Sequence, residues 1–275
     1  MNAIIGSQAY CWFQIYNAQG QKYQDHLDEI FAQVRAAGVE AWEGGVASPE
    51  DAAHLRDLLA KHRLAMPSIY VGASLHRDSS NEGIEDVLRQ ARLARPLGAS
   101  IVVVNPDPID WHKPINKSDN ELKRQAEAMQ TLGQKLLADG MTLAYHTHDP
   151  EMRAAAREFH HMLLATDPEC VGLCLDAHWI YRGAENSQVA LYDIVKLYLS
   201  RIRSLHLRQS QNGIWTETLC DGDIDYRPLA RRLNGVGFAG PIIIEQCFEK
   251  GTPQTVGGDE RIRRSRQWLR DALGL

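Results

Sequence analysis

Eight apolar runs of strand length alternate along the chain with stretches of helical periodicity, and this alternation constrains the fold more than any other feature. The runs are Ala3–Ala9, Val39–Trp42, Leu64–Val71, Ser100–Asn105, Met141–Tyr145, Val171–Leu175, Ile202–Leu207 and Pro241–Ile244. Several are unbroken and β-branched, such as Ile-Val-Val-Val at 101–104 and Pro-Ile-Ile-Ile-Glu at 241–245. Unbroken runs suit strands covered on both faces, as in a parallel sheet. The intervening segments read as helices. Lys22–Ala37 places Leu27, Ile30, Phe31 and Val34 on one face, and Glu82–Leu97 does the same with Ile84, Val87, Leu88 and Leu93. Pro49–Lys61 opens after Ser48 with proline at the first helical position. Asn120–Asp139 follows Ser118, whose spacing to Glu121 is that of a capping box. Glu151–Ala165, Gln188–Tyr198, Tyr226–Val236 and Asp259–Leu273 complete the set.

Eight β-then-α units in 275 residues is about 34 residues each, the repeat of a (β/α)8 barrel. The expected fold is therefore α/β, a single TIM barrel over residues 1–275. A doubly wound sheet would need a phosphate loop after its first strand, and Ile5-Gly6-Ser7-Gln8-Ala9-Tyr10 is not one. The formal G-x-G-x-x-G at Gly235–Gly240 follows a helix and precedes a strand, the reverse of a dinucleotide site, so it reads as a helix stop and a turn. No linker interrupts the chain. The irregular stretches Gly72–Asn81, Pro106–Lys117, Leu207–Asp225 and Phe248–Gly258 all follow expected strands. They belong to one rim, the C-terminal one, where barrel enzymes keep their sites.

Charge and cysteine content narrow the class. Net charge is −5, and the one basic concentration, Arg261–Arg270, repeats at helical spacing. It reads as a solvated helix face, which argues against a nucleic-acid partner. The N-terminal segment has no basic region followed by a long apolar run and a cleavage site, and no stretch reaches 18 apolar residues. The five cysteines form no C-x-x-C pair. The expectation is a reduced, cytoplasmic protein without a membrane partner.

Function is read from the polar residues that terminate apolar strands. The second strand ends at Glu43 and the fourth at Asn105. The fifth ends in Tyr-His-Thr-His-Asp-Pro-Glu, supplying His146, His148 and Glu151. The sixth supplies Asp176 and His178, the seventh His206 and Arg208, the eighth Glu245. An ionisable group after several buried aliphatics costs several kcal/mol unless it is paired or metal-bound. Four successive strands ending this way on one rim are hard to explain as packing. Imidazoles and carboxylates with no nearby thiolate except Cys247 suit one divalent ion: Mn²⁺ first, with Mg²⁺, Co²⁺ or Zn²⁺ as alternatives. His146, Asp176, His206 and Glu245 occupy equivalent positions and can converge on it. Glu43, Asn105, His148, His178, Arg208 and Trp12 are expected to contact substrate; for Glu43 a salt bridge is the competing reading. Trp12, Trp111, Trp179 and Trp215 lie at or beyond strand ends, where they could wall a sugar pocket.

These strand ends resemble the sugar phosphate isomerase/epimerase superfamily, the xylose isomerase-like or endonuclease IV-like barrels. The resemblance covers essentially the whole chain. Its pieces are residues 145–151, Leu-Asp-Ala-His-Trp at 175–179, Ser-Leu-His-Leu-Arg at 204–208, Gly-Asp-Ile-Asp-Tyr at 222–226 and Ile-Ile-Ile-Glu-Gln at 242–246. It implies one divalent cation held by Glu, Asp, His and Glu from the last four strands. The last three correspond to Asp176, His206 and Glu245. At strand five this chain has His146 where the family usually has Glu, and Glu151 lies five residues on, much as in a subgroup resembling inosose dehydratases and keto-sugar enzymes. Two arrangements compete: His146 binds the metal while Glu151 or His148 carries protons, or Glu151 folds back onto the metal while His146 and His148 contact substrate. Glu151 could equally be a first-turn helix acid. The segment His206-Leu207-Arg208-Gln209 also departs from the usual His-Leu-Lys-Asp, and Arg208 offers a fork suited to a carboxylate, phosphate or paired hydroxyls.

The resemblance implies a metal-dependent isomerase or epimerase of a small sugar or cyclic polyol ketone. Glu245, or a group from strand five, would remove an α-proton to give a metal-bound enediolate. Departure of a β-hydroxyl would make the same site a dehydratase. The rivals are a repair nuclease of the endonuclease IV type, which would need further zinc ligands and a basic mouth, and a non-catalytic sugar-binding barrel. No Gly-rich phosphate cradle is evident, which favours an unphosphorylated substrate, and a homo-oligomer is left open.

Overall fold

A computed structural model describes residues 3–274; Met1, Asn2 and Leu275 of the expected span lie outside the described residues. The strands are β1 (Ile5–Gln8), β2 (Ala41–Gly44), β3 (Ala65–Ala73), β4 (Ile101–Pro106), β5 (Thr142–Tyr145), β6 (Val171–Asp176), β7 (Ile202–Leu207), a hairpin of β8 (Ser210–Gln211) and β9 (Ile214–Trp215), and β10 (Ile242–Ile244). The barrel closes in the order β1-β10-β7-β6-β5-β4-β3-β2, and neighbouring strands are parallel. This is the (β/α)8 barrel expected from the alternation. Its eight strands fall on the eight apolar runs, with β2 and β3 each ending two residues further than expected.

The helices are α1 (Ala9–Asn17), α2 (Leu27–Ala36), α3 (Pro49–His62), α4 (Ser80–Ala94), α5 (Asp119–Ala138), α6 (Asp149–Leu164), α7 (Ala177–Gly183), α8 (Gln188–Tyr198), α9 (Arg227–Gly235) and α10 (Gly258–Leu273). The capping signals act as read. Ser48 accepts from the Asp51 amide at 3.1 Å. Ser118 and Glu121 form the reciprocal box that opens α5, satisfying two amide donors that the first turn leaves free. Apolar faces such as Ile30, Phe31 and Val34 of α2 pack onto the outside of the sheet. Inside the barrel a separate small cluster, Val103, Ala144 and Cys174, is joined by Tyr70 and Ile101. On α10 most arginines are solvated as expected, but Arg261 is buried, its guanidinium 3.9 Å from the centre of the Phe248 ring.

Three features depart from the sequence reading. The first run ends early, because Gln8 turns its side chain onto the Tyr10 amide and Ala9 begins α1. Asp176 likewise ends β6 by accepting from the Trp179 amide at 2.8 Å, which starts the short α7. Within α6 the residues Ala154, Ala155 and Ala156 have φ of 52°, 61° and 55°. Left-handed backbone costs about 1–2 kcal/mol per non-glycine residue, so this helix is broken after its first turn rather than continuous.

Candidate metal centre

Parallel register carries the strand-end groups to one level. Asp176 pairs with His206 across β6 and β7, and His206 with Ile243 across β7 and β10, two residues before Glu245. His146 follows β5 directly. Ligand atoms of His146, Asp176, His206 and Glu245 all lie within 4.8 Å of one another. His146 Nε2 is 3.5 Å from Asp176 Oδ2, and His206 Nδ1 is 2.9 Å from Glu245 Oε2. The first three residues are wholly buried and Glu245 is 5% exposed.

The donor set fits a divalent cation. Two imidazoles and two carboxylates are ligands for Mn²⁺, Mg²⁺, Co²⁺ or Zn²⁺. His146 Nε2 and Asp176 Oδ2 are buried without hydrogen-bond partners, and such atoms are rare unless something unseen satisfies them. The electrostatics point the same way. Burial opposes a charged His206, yet Cys174, Glu43 and Glu245 together raise its pKa well above the ordinary imidazole range. Positive charge is therefore favoured at this point. Burial pushes Asp176 up to about 6 against the pull of Arg208. Burial alone would raise Glu245 too, but Arg208 and then His206 hold it well below the usual carboxylate range, so it is ionised. His146 and His148 are both pulled down to about 3, chiefly by burial, and both are neutral at pH 7.

Around this centre stands a second layer. His148 Nδ1 is 2.8 Å from Asn105 Oδ1. An amide oxygen can only accept, so Nδ1 carries the proton and Nε2 has a free lone pair. The ring sits between Trp111 and Trp179, at 5.2 and 5.1 Å between ring centres. Arg208 is stacked 4.1 Å from the Trp215 ring centre and 5.2 Å from that of Trp179. Its Nε donates to the Glu245 backbone oxygen at 2.9 Å and its Nη2 lies 3.3 Å from Glu245 Oε1. Most of the fork expected to face substrate is thus spent on Glu245, and Nη1 alone has no partner.

Several expected substrate contacts are corrected. Trp12 is 1% exposed and belongs to the main core. It lies on α1, which turns it inward, where its Nε1 donates to Ser7 Oγ at 3.0 Å. His178 is fully buried on α7 with Nε2 3.0 Å from Ser210 Oγ, so it anchors the β8–β9 hairpin rather than facing the mouth. Glu43 is fully buried and meets Ser68 and His206. Glu151 lies outside the cluster of four. Its Oε2 accepts from the His148 amide at 2.8 Å, closing the first turn of α6, which is the helix-acid reading. Tyr70, in mid-β3, was not anticipated. Its hydroxyl is 3.5 Å from His146 Nδ1 and its ring stacks 6.1 Å from His206. An inward-facing Tyr within a strand carries no sequence signal to separate it from core.

Glu151 predicts a pH effect. Burial, with the Glu158 charge next, raises it from the ordinary 4.5 to about 8. Its folded pKa lies above the unfolded one, so its contribution to stability is full below about 4.5 and is lost as pH rises through about 8. Glu151→Gln should therefore flatten the fall in melting temperature over this window. An unchanged profile would place the titration elsewhere.

Residues 31–272 match the xylose isomerase-like TIM barrel family, and the chain belongs to it. This is the family that the strand-end motifs resemble. Among its relatives is the inosose dehydratase of Geobacillus thermodenitrificans, 22% identical over 278 residues, with 90% of each chain covered. A D-allulose 3-epimerase from Methylomonas sp., solved with D-allulose, superposes with a TM-score of 0.76 at 16% identity, covering 98% of this chain and 97% of that one. A xylose isomerase-like protein from Mycobacterium smegmatis, solved with magnesium, gives 0.75 at 15% identity over 99% and 96%. At these identities the two structures show the fold. Among the described residues no helix is long and apolar enough to cross a membrane.

Proposed function

We propose that this chain is a divalent-metal-dependent enzyme that removes a proton α to the carbonyl of a small keto-sugar or cyclic polyol ketone and delivers an isomer or epimer. The observation that carries this is the convergence of His146, Asp176, His206 and Glu245 within 4.8 Å at the C-terminal mouth of the barrel. These four residues would hold the ion, with Mn²⁺ our first expectation. When bound, such an ion polarises a carbonyl and acidifies the neighbouring C–H.

The protein's own groups do the rest. Glu245, kept ionised by Arg208 and His206, accepts the α-proton. His148, with a lone pair on Nε2, is the second group that can carry a proton, since His146 stands where the family usually has a second glutamate. Trp111 and Trp179, which flank His148, supply apolar faces for a sugar ring. Expulsion of a β-hydroxyl after the same proton removal is a second reading. The inosose dehydratase relative favours it, as does the lack of a second glutamate among the four groups. Incubating Mn²⁺-loaded protein with keto-sugars and with inososes separates the two. A product of unchanged mass supports isomerisation or epimerisation, and loss of water supports dehydration. No turnover of either class would remove the proposal.

A further inference from the structure

Glu43 is a charged side chain buried at the floor of the site, and its surroundings suggest a reason. Ser68, its partner in the β2–β3 register, donates its hydroxyl to Oε2 at 2.5 Å. The other oxygen, Oε1, lies 2.7 Å from His206 Nε2. The oxygen sits off the axis of the ring N–H, so this is a charge contact rather than an aligned hydrogen bond, and neither atom has another partner. On its opposite edge His206 meets Glu245 through Nδ1 at 2.9 Å. Each ring nitrogen thus faces a carboxylate. A nitrogen lone pair is repelled by a carboxylate oxygen on either edge, so with no cation both nitrogens favour a hydrogen. Only the Nδ1 edge faces Glu245 and the cluster of four ligand groups, so a cation held there would take the place of the Nδ1 hydrogen and leave Nε2, 2.7 Å from Glu43, as the nitrogen that keeps one.

We propose that Glu43 is a positioning residue that acts through His206, holding the hydrogen on Nε2 so that Nδ1 is presented as a ligand for a divalent cation. This rests on the metal reading of the site above. A carboxylate behind a ligating histidine orients the ring and raises its basicity, and losing it typically weakens metal binding by about 10–100-fold. Glu43→Gln retains the shape and an acceptor for Nε2–H but removes the charge. Ser68→Ala releases the carboxylate without deleting it, so its loss should be smaller.

The test is titration of metal-free, full-length protein with Mn²⁺ alone. The expected result is a single site in the wild type, weakened about 10–100-fold in Glu43→Gln and less in Ser68→Ala, with unchanged circular dichroism. Affinity in folded Glu43→Gln within about twofold of wild type would overturn the role, since ordinary packing would leave metal affinity untouched. A wild type that takes up no Mn²⁺ would overturn the metal reading itself and this role with it. If Glu43→Gln does not fold, nitrogen NMR of the wild type with Zn²⁺ decides. A protonated Nε2 and a metal-shifted Nδ1 on His206 support the role, and the opposite pattern contradicts it.

Discussion

Replacing Asp176 or His206 should strip the divalent ion from the protein while the barrel stays folded. Each residue supplies a buried ligand atom to a cluster only 4.8 Å across, so neither can be replaced by a neighbour without moving a strand. The cleaner variant at 176 is Asp176→Asn. The Asp176 side chain also caps α7 through the Trp179 amide, and removing such a cap costs about 1 kcal/mol. Asparagine keeps the cap and loses the charge, whereas Asp176→Ala loses both. His206→Ala leaves Glu43 and Glu245 without the imidazole between them. Its melting temperature should fall further in the metal-free state, because two buried carboxylates lose their partner. Strand five extends the comparison. His146→Ala should lose the metal, and Glu151→Ala should keep it, because the Glu151 carboxylate closes the first turn of α6. The check is elemental analysis of the purified variants. Full metal content in both the Asp176 and His206 variants would refute the site, and loss in Glu151→Ala alone would exchange the roles assigned on strand five.

Glu245→Gln should cost kcat about 10²–10⁴-fold, the usual contribution of a positioned general base, with a much smaller change in KM. The amide is nearly isosteric and keeps an oxygen for Arg208 and for a cation. It cannot accept a proton at pH 7, whereas the carboxylate is held ionised there by Arg208 and His206. Steady-state kinetics on the substrate class that proves active, with metal content matched to wild type, separates lost chemistry from lost metal. Activity within a few-fold of wild type would remove Glu245 from the proton transfer.

The barrel was legible because a strand buried on both faces leaves an unbroken apolar run, and Val102, Val103 and Val104 are such a case, each fully buried. The ends of those runs were legible for the same reason. Asp176 is anomalous after the unbroken run Val171–Leu175, His206 lies between Leu205 and Leu207 at the end of its strand, and the parallel register sets the two side by side. What escaped was decided by contacts distant in sequence. The short α1 carries Tyr10, Trp12 and Phe13 with no clear periodicity, so by sequence Trp12 reads as a residue of the mouth although it belongs to the core. His178 lies in a similarly short helix, and its partner Ser210 sits in a hairpin of two-residue strands. The position of Glu43 against Ser68 and His206 follows from the β2–β3 register and barrel closure, which no local pattern reports.

The reaction proposed for this site is removal of a proton α to a carbonyl with the help of a divalent ion. Solvent exchange in D₂O, followed by proton NMR, measures that step whatever the product. Wild-type protein loaded with Mn²⁺ should place deuterium at the α-carbon of at least one keto-sugar or inosose. Treatment with a chelator should abolish the exchange, and added Mn²⁺ should restore it. Absence of exchange with every member of both classes, or exchange that persists undiminished after the metal is removed, would contradict metal-assisted proton removal at this site.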